Sequence, residues 1–371
     1  MIIVINSNHF IPSSGNDFLA KYFLKAAAKM LNHQFIFITN TAINLHSFSS
    51  DNIINIVSVP KANNPLMWKI WLNYQLPAIA KKNKADIVIN TGSICSLRLK
   101  IPQWLFISDL SFLTFPAFFS KGQMHFIKKN MHAFLQKANH IAAGSDFIKE
   151  AILKKYPVAQ DKINVFGLPI DDLYQPIDWK EKELIKEKYA EGKEYFLFTG
   201  EIHVGSNLVN LLKAFSFFKK RQKSNMQLII AGKMNSKKDP FFEMYKTYKY
   251  RKEVSILTNL TAKMLAEITG AAYAFLYPVA YDSLFMYPLQ AMQCQVPVVT
   301  TETVEGRQLM GDAALYADPS NFEDIADKMM LLFKDEGLRS RLINNGTVIT
   351  GVLLKTNTWK TFWKMIDAPA S

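Results

Sequence analysis

The sequence contains little cysteine, few acidic residues relative to basic ones, and no long hydrophobic run. Its two cysteines, Cys95 and Cys294, lie far apart in 371 residues and match no metal-ligand spacing. No apolar run approaches the roughly 18–20 residues that cross a bilayer. The N-terminal MIIVINSN has no basic leader and no small-residue cleavage site, so we expect a first strand there and not a signal peptide. These features predict a cytoplasmic protein with reduced core thiols.

The excess of basic residues is the strongest compositional feature. Lys and Arg number 44 and Asp and Glu 31, for a formal net charge of +13, and the lysines concentrate in 126–137, 211–223 and 233–239. Such clusters predict attraction to polyanions or to an anionic membrane, with solvated helix faces as the alternative. No nucleic-acid motif accompanies them, so nucleic acid is not an expected partner. The helix predicted at 121–137 motivates an expectation of peripheral contact with the inner membrane surface.

The hydrophobic pattern divides the chain into two similar halves. Short buried strands alternate with amphipathic helices, as in MIIVIN, QFIFIT and ADIVIN of the first half and EYFLFTG, MQLIIAGK and AYAFLYP of the second. This alternation predicts an α/β protein with a doubly wound parallel sheet in each half. A proline-containing acidic stretch at 167–178 is typical of a linker. We therefore predict domains at 1–167 and 168–355, followed by an aromatic helix at about 356–371.

One stretch, residues 274–301, is typical of a ligand site. The strand AYAFLYP leads into the polar loop AYDSLFMY, then a short helix and the strand VPVVTT. Pro288 suits the first helical position, which would put Gln290 in the first helical turn. Open α/β sheets bind ligands at the carboxyl ends of their strands, and a helix N-terminus there attracts anions.

Seven segments, in order, resemble the retaining glycosyltransferases of family 4. They are FISDLSFLTFP, HIAAGSDFIKEAI, YFLFTGEIHVGSNLVNLLKAFSFF, MQLIIAGK, YPVAYDSLFMYPLQAMQCQVPVVTT, GDAALYADP and DEGLRSRLINNG. The resemblance implies the GT-B fold, in which two Rossmann-like domains face each other across a cleft. It also implies a nucleotide-sugar donor on the C-terminal domain, an acceptor on the N-terminal domain, and a final helix that crosses back to the first domain.

The same resemblance implies particular site residues. Asp282 and Gln290 stand at the positions of the family's paired glutamates, and Ser283 and Phe285 at those of two loop glycines. Neutral or acidic residues replace the family's basic residues after the strand YFLFT, so His203, Lys233 and Arg307 are the candidates to balance a diphosphate. Asp109, in the N-terminal loop, is a candidate to orient an acceptor. The implied catalytic residues are Asp109 and Asp282, and the implied donor-binding residues are Gly15, Gly200, His203, Ser206, Lys233, Asp282, Ser283, Leu284, Phe285 and Gln290.

The implied function is transfer of a hexose, with retention, in polysaccharide biosynthesis. A nucleotide-diphosphate sugar is the donor, a glycan or lipid-linked molecule the acceptor, and neither a metal nor a cofactor is expected. Replacing a charged hydrogen bond with a neutral one lowers its contribution from about 1.5–3 to about 0.5–1.5 kcal/mol. The alternative is therefore a catalytically inert binding or scaffold protein that keeps the fold.

Overall fold

Two separate parallel sheets organise the chain. The computed structural model describes residues 1–8, 14–40, 50–58, 64–116, 119–167, 171–234, 240–282, 284–355 and 358–367. The chain divides into two compact units, Met1–Pro169 with Thr358–Ser371, and Ile170–Asn357. The prediction of an α/β fold with two parallel sheets is confirmed.

The first unit contains a seven-stranded parallel sheet with strand order β3-β2-β1-β4-β5-β6-β7. The order reverses between β1 and β4, which is where an open sheet of this kind has its ligand crevice. Its strands are β1 Ile2–Asn6, β2 Gln34–Thr39, β3 Ile53–Val57, β4 Ile87–Asn90, β5 Gln103–Ile107, β6 His140–Ala143 and β7 Ile163–Val165. Its first six helices are α1 Ser14–Ala27, α2 Pro65–Ile70, α3 Leu76–Lys82, α4 Ser111–Thr114, α5 Lys121–Lys137 and α6 Asp146–Lys155.

The second unit repeats the plan with six parallel strands in the order β10-β9-β8-β11-β12-β13. Here the reversal falls between β8 and β11. The strands are β8 Tyr195–Thr199, β9 Gln227–Ala231, β10 Val254–Leu257, β11 Ala274–Tyr277, β12 Val298–Thr301 and β13 Ala314–Ala317. The helices are α7 Trp179–Ala190, α8 Leu208–Gln222, α9 Pro240–Lys246, α10 Ala262–Gly270, α11 Met286–Gln293, α12 Val304–Met310, α13 Phe322–Lys334 and α14 Glu336–Lys355.

The last helix, α15 (Thr358–Asp367), completes the core of the first unit. The Trp359 ring stacks on Phe106 with centroids 5.6 Å apart, and Phe362 meets the edge of Trp104 at 4.9 Å. The Thr358 hydroxyl donates to the carbonyl of Phe166, just after β7. Buried aromatic side chains of this size dominate core energetics, so α15 is an integral part of the first sheet's packing.

One helix has the bounds predicted from the sequence, and others do not. Helix α5 has the predicted bounds, and its Ser120 and Gln123 form a capping box. Helix α7 was not predicted, because the segment follows a linker-like stretch and Leu184 faces solvent, which weakens its apolar periodicity. The helical segment from Pro65 to Lys82 is interrupted by a π-helical turn at Trp71–Gln75, and α14 continues for 20 residues to Lys355. In the part of the chain described, no helix has the length and apolar character needed to cross a membrane.

Candidate active site of the second unit

The candidate site lies where β8 and β11 end side by side. Gly200 follows β8 with a φ of +150°, a backbone conformation that side-chain-bearing residues rarely adopt. Gly232, after β9, lies so close to it that an added Cβ would be 1.7 Å from the Gly200 carbonyl oxygen. The two glycines therefore let two chain segments meet at the edge of the sheet.

The loop after β8 is closed by its own hydrogen bonds. The Ser206 hydroxyl donates to the Glu201 carbonyl, and His203 Nδ1 accepts from the Gly205 N–H at 3.0 Å. Ser206 is buried, whereas His203 is exposed. Of the two predicted donor-binding side chains in this loop, His203 is thus the one available to solvent, and Ser206 maintains the loop's shape.

Asn207 ties three loops together at this edge. It adopts a left-handed conformation (φ 58°) and its Nδ2 donates to the carbonyls of Pro278 and Pro319, both at 2.7 Å. The Ala280 N–H also donates to the Gly205 carbonyl at 3.0 Å. These hydrogen bonds therefore fix the positions of the loops after β8, β11 and β13 relative to one another. Asn207 is not among the predicted site residues, although an Asn directly before a helix is a local signal for such a conformation.

The loop after β11 fixes the Asp282 carboxylate. One carboxylate oxygen accepts from the Tyr277 hydroxyl and the other from the Leu284 N–H, each at 2.9 Å. Burial, and then the neighbouring Asp282 carboxylate, raises the pKa of Tyr277 well above its ordinary value, so this phenol stays protonated and donates. Asp282 is 7% exposed. Its orientation is therefore set by two donors from the protein. Ser283 falls outside the described residues.

Phe285 occupies a position where the family pattern has glycine. Its φ of +49° is in the left-handed region, which disfavours a residue with a side chain. Its ring is fully buried in the core of the second unit, where its edge lies against Gly306. Helix α11 starts directly after it, at Met286 and not at Pro288. The prediction that Gln290 lies in the first helical turn is therefore wrong, and Gln290 lies in the second.

Gln290 lies buried on helix α11, directly after the loop that carries Asp282. It is 1% exposed, and neither its Nε2 nor its Oε1 has a hydrogen-bond partner among the residues that the structure describes. A buried amide without a partner costs about 1–3 kcal/mol. Such a group is expected where a ligand supplies the missing bonds. Lys233 follows Gly232 at the same edge of the sheet, and its side chain is exposed.

Two of the predicted site residues lie in the first unit. Asp109 follows β5, and its carboxylate accepts from both the N–H and the hydroxyl of Ser111, the first residue of helix α4. Gly15 lies in the first turn of helix α1. Both positions are at the carboxyl edge of the first sheet, which is the edge that binds ligands in folds of this type.

Comparison with known proteins finds similarity to glycosyltransferases. Residues 180–348 match the family described as "Glycosyl transferases group 1". The O-antigen chain mannosyltransferase B of Escherichia coli is 25% identical over 232 residues, which cover 62% of this chain and 61% of that protein. The chain therefore spans less than two thirds of this relative's length.

Solved structures agree on the fold. WaaG, a glycosyltransferase involved in lipopolysaccharide biosynthesis, has a TM-score of 0.79 at 13% identity, with 97% of this chain and 98% of that chain covered. Anabaena Alr3699/HepE in complex with UDP and glucose has a TM-score of 0.76 at 13% identity, with coverage of 99% and 100%. Residues 180–348 thus match the group 1 glycosyltransferase family, and the chain has the GT-B fold.

Proposed function

We propose that this protein transfers a sugar, with retention, from a nucleotide-diphosphate donor to a glycan or lipid-linked acceptor. Support comes from the group 1 family match, from a relative that is a mannosyltransferase of O-antigen chains, and from a structural neighbour that holds UDP and glucose. We infer mannose as the sugar from the relative. The donor would bind at the carboxyl edge of the second sheet and the acceptor on the first unit.

The observation that carries this proposal is the unsatisfied carboxamide of Gln290. An amide can donate to one hydroxyl and accept from another, which matches the vicinal hydroxyls of a ribose or a sugar. Two such neutral bonds would contribute about 1–3 kcal/mol together, similar to the cost of leaving the buried amide unpaired. In our proposal, the hydroxyls of the bound donor form the hydrogen bonds that the Gln290 carboxamide otherwise lacks.

The diphosphate of the donor needs positive charge, because transfer increases the charge on the leaving phosphate. The exposed side chains of Lys233 and His203, together with backbone N–H groups after Gly200, are the groups we propose for this role. Asp282 would accept a hydrogen bond from the donor sugar at an orientation set by Tyr277 and Leu284. The leaving phosphate itself would guide the acceptor hydroxyl to the same face of the sugar, and Asp109 would orient that acceptor.

We also propose that the protein works at the cytoplasmic face of the inner membrane, through peripheral contact. The basis is the run of lysines in α5, a helix without a single acidic residue. A lipid-linked acceptor would be presented at this surface. Attraction of basic residues to anionic lipids contributes about 1 kcal/mol for each side chain near the surface.

Calorimetric titration with GDP, UDP and ADP, with and without Mg²⁺, tests donor binding. We expect Gln290→Leu to weaken binding of the preferred nucleotide or its sugar conjugate about 5- to 100-fold, from two lost hydrogen bonds. The same variant should be more stable than the parent, because it removes a buried unpaired amide.

Gln293→Leu is the matched control for this experiment. Gln293 lies three residues further along α11, is 7% exposed, and also has both amide atoms without a partner among the described residues. We expect it to gain stability in the same way while nucleotide affinity stays unchanged. A folded protein that gives no heat with any nucleotide would contradict the proposal and favour the non-catalytic alternative.

A further inference from the structure

The helical segment after residue 64 exposes a row of apolar side chains. Leu66, Ile70 and Tyr74 follow one another at intervals of four residues and are 68%, 45% and 54% exposed. They lie on α2 and the π-helical turn that continues it, where about four residues make one turn, so they share one side. Trp68 and Trp71 of the same segment are buried. Single exposed apolar residues are ordinary, but a row at helical spacing is unusual for a free surface.

The sequence around this apolar row is strongly basic. Residues 52–145 contain eleven Lys and Arg and only two acids, so they carry nine of the thirteen net positive charges of the chain. The two acids are Asp86 and Asp109, and each accepts a hydrogen bond from a backbone N–H, Ile2 and Ser111 respectively. Within this stretch, acidic residues therefore offset only a small part of the positive charge.

Basic side chains lie directly beside the apolar row. Helix α2 packs against α5 through the rings of Trp68 and Phe126, 5.6 Å apart. The exposed residues of α5 include Lys121, Lys128 and Lys129, whose spacing of seven and eight puts them on one face. At the other end of the apolar row, the guanidinium of Arg98, from the connection between β4 and β5, lies 4.5 Å from the centroid of the Tyr74 ring.

We propose that the apolar row and the lysines of α5 form a docking surface for an anionic lipid bilayer. Apolar side chains enter the boundary between headgroups and acyl chains, and a tyrosine keeps its hydroxyl at the polar level. The lysines meet the anionic headgroups. A protein partner would have to supply many acids around an apolar centre, whereas an anionic membrane combines both properties over a wide area. This inference rests on the membrane contact proposed above and assigns it to named residues.

Co-sedimentation of the full chain with vesicles of phosphatidylglycerol and phosphatidylcholine tests the assignment. We expect the triple variant L66S/I70S/Y74S to bind these vesicles about 10- to 100-fold more weakly than the parent, because three side chains no longer enter the bilayer. The matched control is L184S/V348S, which removes two exposed apolar side chains, 72% and 66% exposed, from the second unit. It should bind like the parent.

The charge contribution is tested separately with K128Q/K129Q. At low salt this variant should bind about 10- to 30-fold more weakly, and the difference should shrink as salt rises. The control K180Q/K188Q changes two exposed lysines of α7 and should bind like the parent. Equal binding to pure phosphatidylcholine would overturn the proposal, since charge would then play no part.

A fluorescent label gives a readout that does not depend on the triple variant folding. Cys95 and Cys294 are buried, so Ile70→Cys can be labelled selectively with an environment-sensitive dye. Its emission should shift to the blue on addition of anionic vesicles. If the emission did not shift, or if L66S/I70S/Y74S pelleted with vesicles like the parent, the apolar row would be refuted as the membrane contact. If only K128Q/K129Q lost pelleting, the membrane contact of the protein would stand, but the apolar row would not be part of it.

Self-association is the remaining outcome. A concentration-dependent dimer that the triple variant abolishes, without vesicle binding by the parent, would identify the surface as a contact between two copies and overturn the proposal. All of these measurements are independent of nucleotide binding. The failure of the donor-site proposal and the failure of this one are therefore distinguishable.

Discussion

Replacing Gly232 with alanine tests the close approach of Gly232 to Gly200 beside the candidate site. A methyl group at this position would be 1.7 Å from the carbonyl oxygen of Gly200 and 2.9 Å from its carbonyl carbon. Both atoms belong to the backbone, so no side-chain rotation relieves the contact. Gly232 is absent from the glycines with positive φ, and its backbone would otherwise accept alanine.

The size of the effect follows from what must move. The carbonyl oxygen has to retreat by more than about 1 Å, because non-bonded atoms repel steeply inside contact distance. Such a movement would strain two backbone hydrogen bonds: the Gly200 N–H donates to the Ala231 carbonyl (3.2 Å), and the Ile202 N–H donates to the Lys233 carbonyl (2.8 Å). We expect G232A to lower the free energy of unfolding of the second unit by about 3 kcal/mol or more. If the Gly200 carbonyl were not in the way, replacing Gly232 with alanine would raise the free energy of unfolding by about 0.4–1 kcal/mol.

Gly351→Ala is the matched control, because Gly351 lies within α14 and has no atom within 4 Å of an added Cβ. It should stabilise the second unit by about 0.5–1 kcal/mol. Urea unfolding followed by circular dichroism gives the two values, and hydrogen exchange of peptides from β8 and β9 reports which unit responds. If G232A proved as stable as the parent, the close approach of the two loops would be refuted.

Three further predictions concern single side chains. Phe285→Gly should destabilise by about 2–3 kcal/mol in urea unfolding, because losing a buried ring outweighs relief of its left-handed backbone; a stabilised variant would contradict the packing. Asn207→Asp should cost about 2–3 kcal/mol by the same assay, since a carboxylate cannot donate to Pro278 and Pro319, and Asn210→Asp, with one such bond, should cost less. His140 should titrate below 6.5 by NMR, because burial and then Lys162 lower its pKa. The contribution of neutral His140 to the free energy of unfolding is therefore fully present above pH 6.5, and it is lost as the pH falls from 6.5 towards the folded-state pKa. A measured folded-state pKa of His140 above 6.5 would refute this prediction.

The sheets were predictable because their strands are short and buried on both faces. Runs such as YFLFT and QLIIA have no polar face, which is typical of central parallel strands, and both form strands. Helix α5 was predictable to its ends because Ser120 and Gln123 form a capping box before an amphipathic run. Helix α7 was missed because tertiary contacts bury only part of a mostly polar segment.

The loop that carries the candidate site was predictable from the sequence, but its hydrogen bonds were not. The order of strands and loops indicated the carboxyl edge near Asp282 and Gln290, because ligand sites follow topology. Local patterns cannot show that Tyr277 holds Asp282, or that Asn207 reaches a carbonyl 112 residues away. Nor could they show that the Phe285 ring turns into the core, since that depends on the space left beside Gly306.

The position of α15 affects how the protein is made. Thr358 and Phe166 are hydrogen-bonded although 192 residues separate them in sequence. During synthesis, the first sheet emerges from the ribosome long before Trp359 and Phe362 exist to cover Phe106 and Trp104. The second unit is therefore complete before the first one can close its aromatic core. A nascent chain carries that apolar surface uncovered until residues 358–367 have been added.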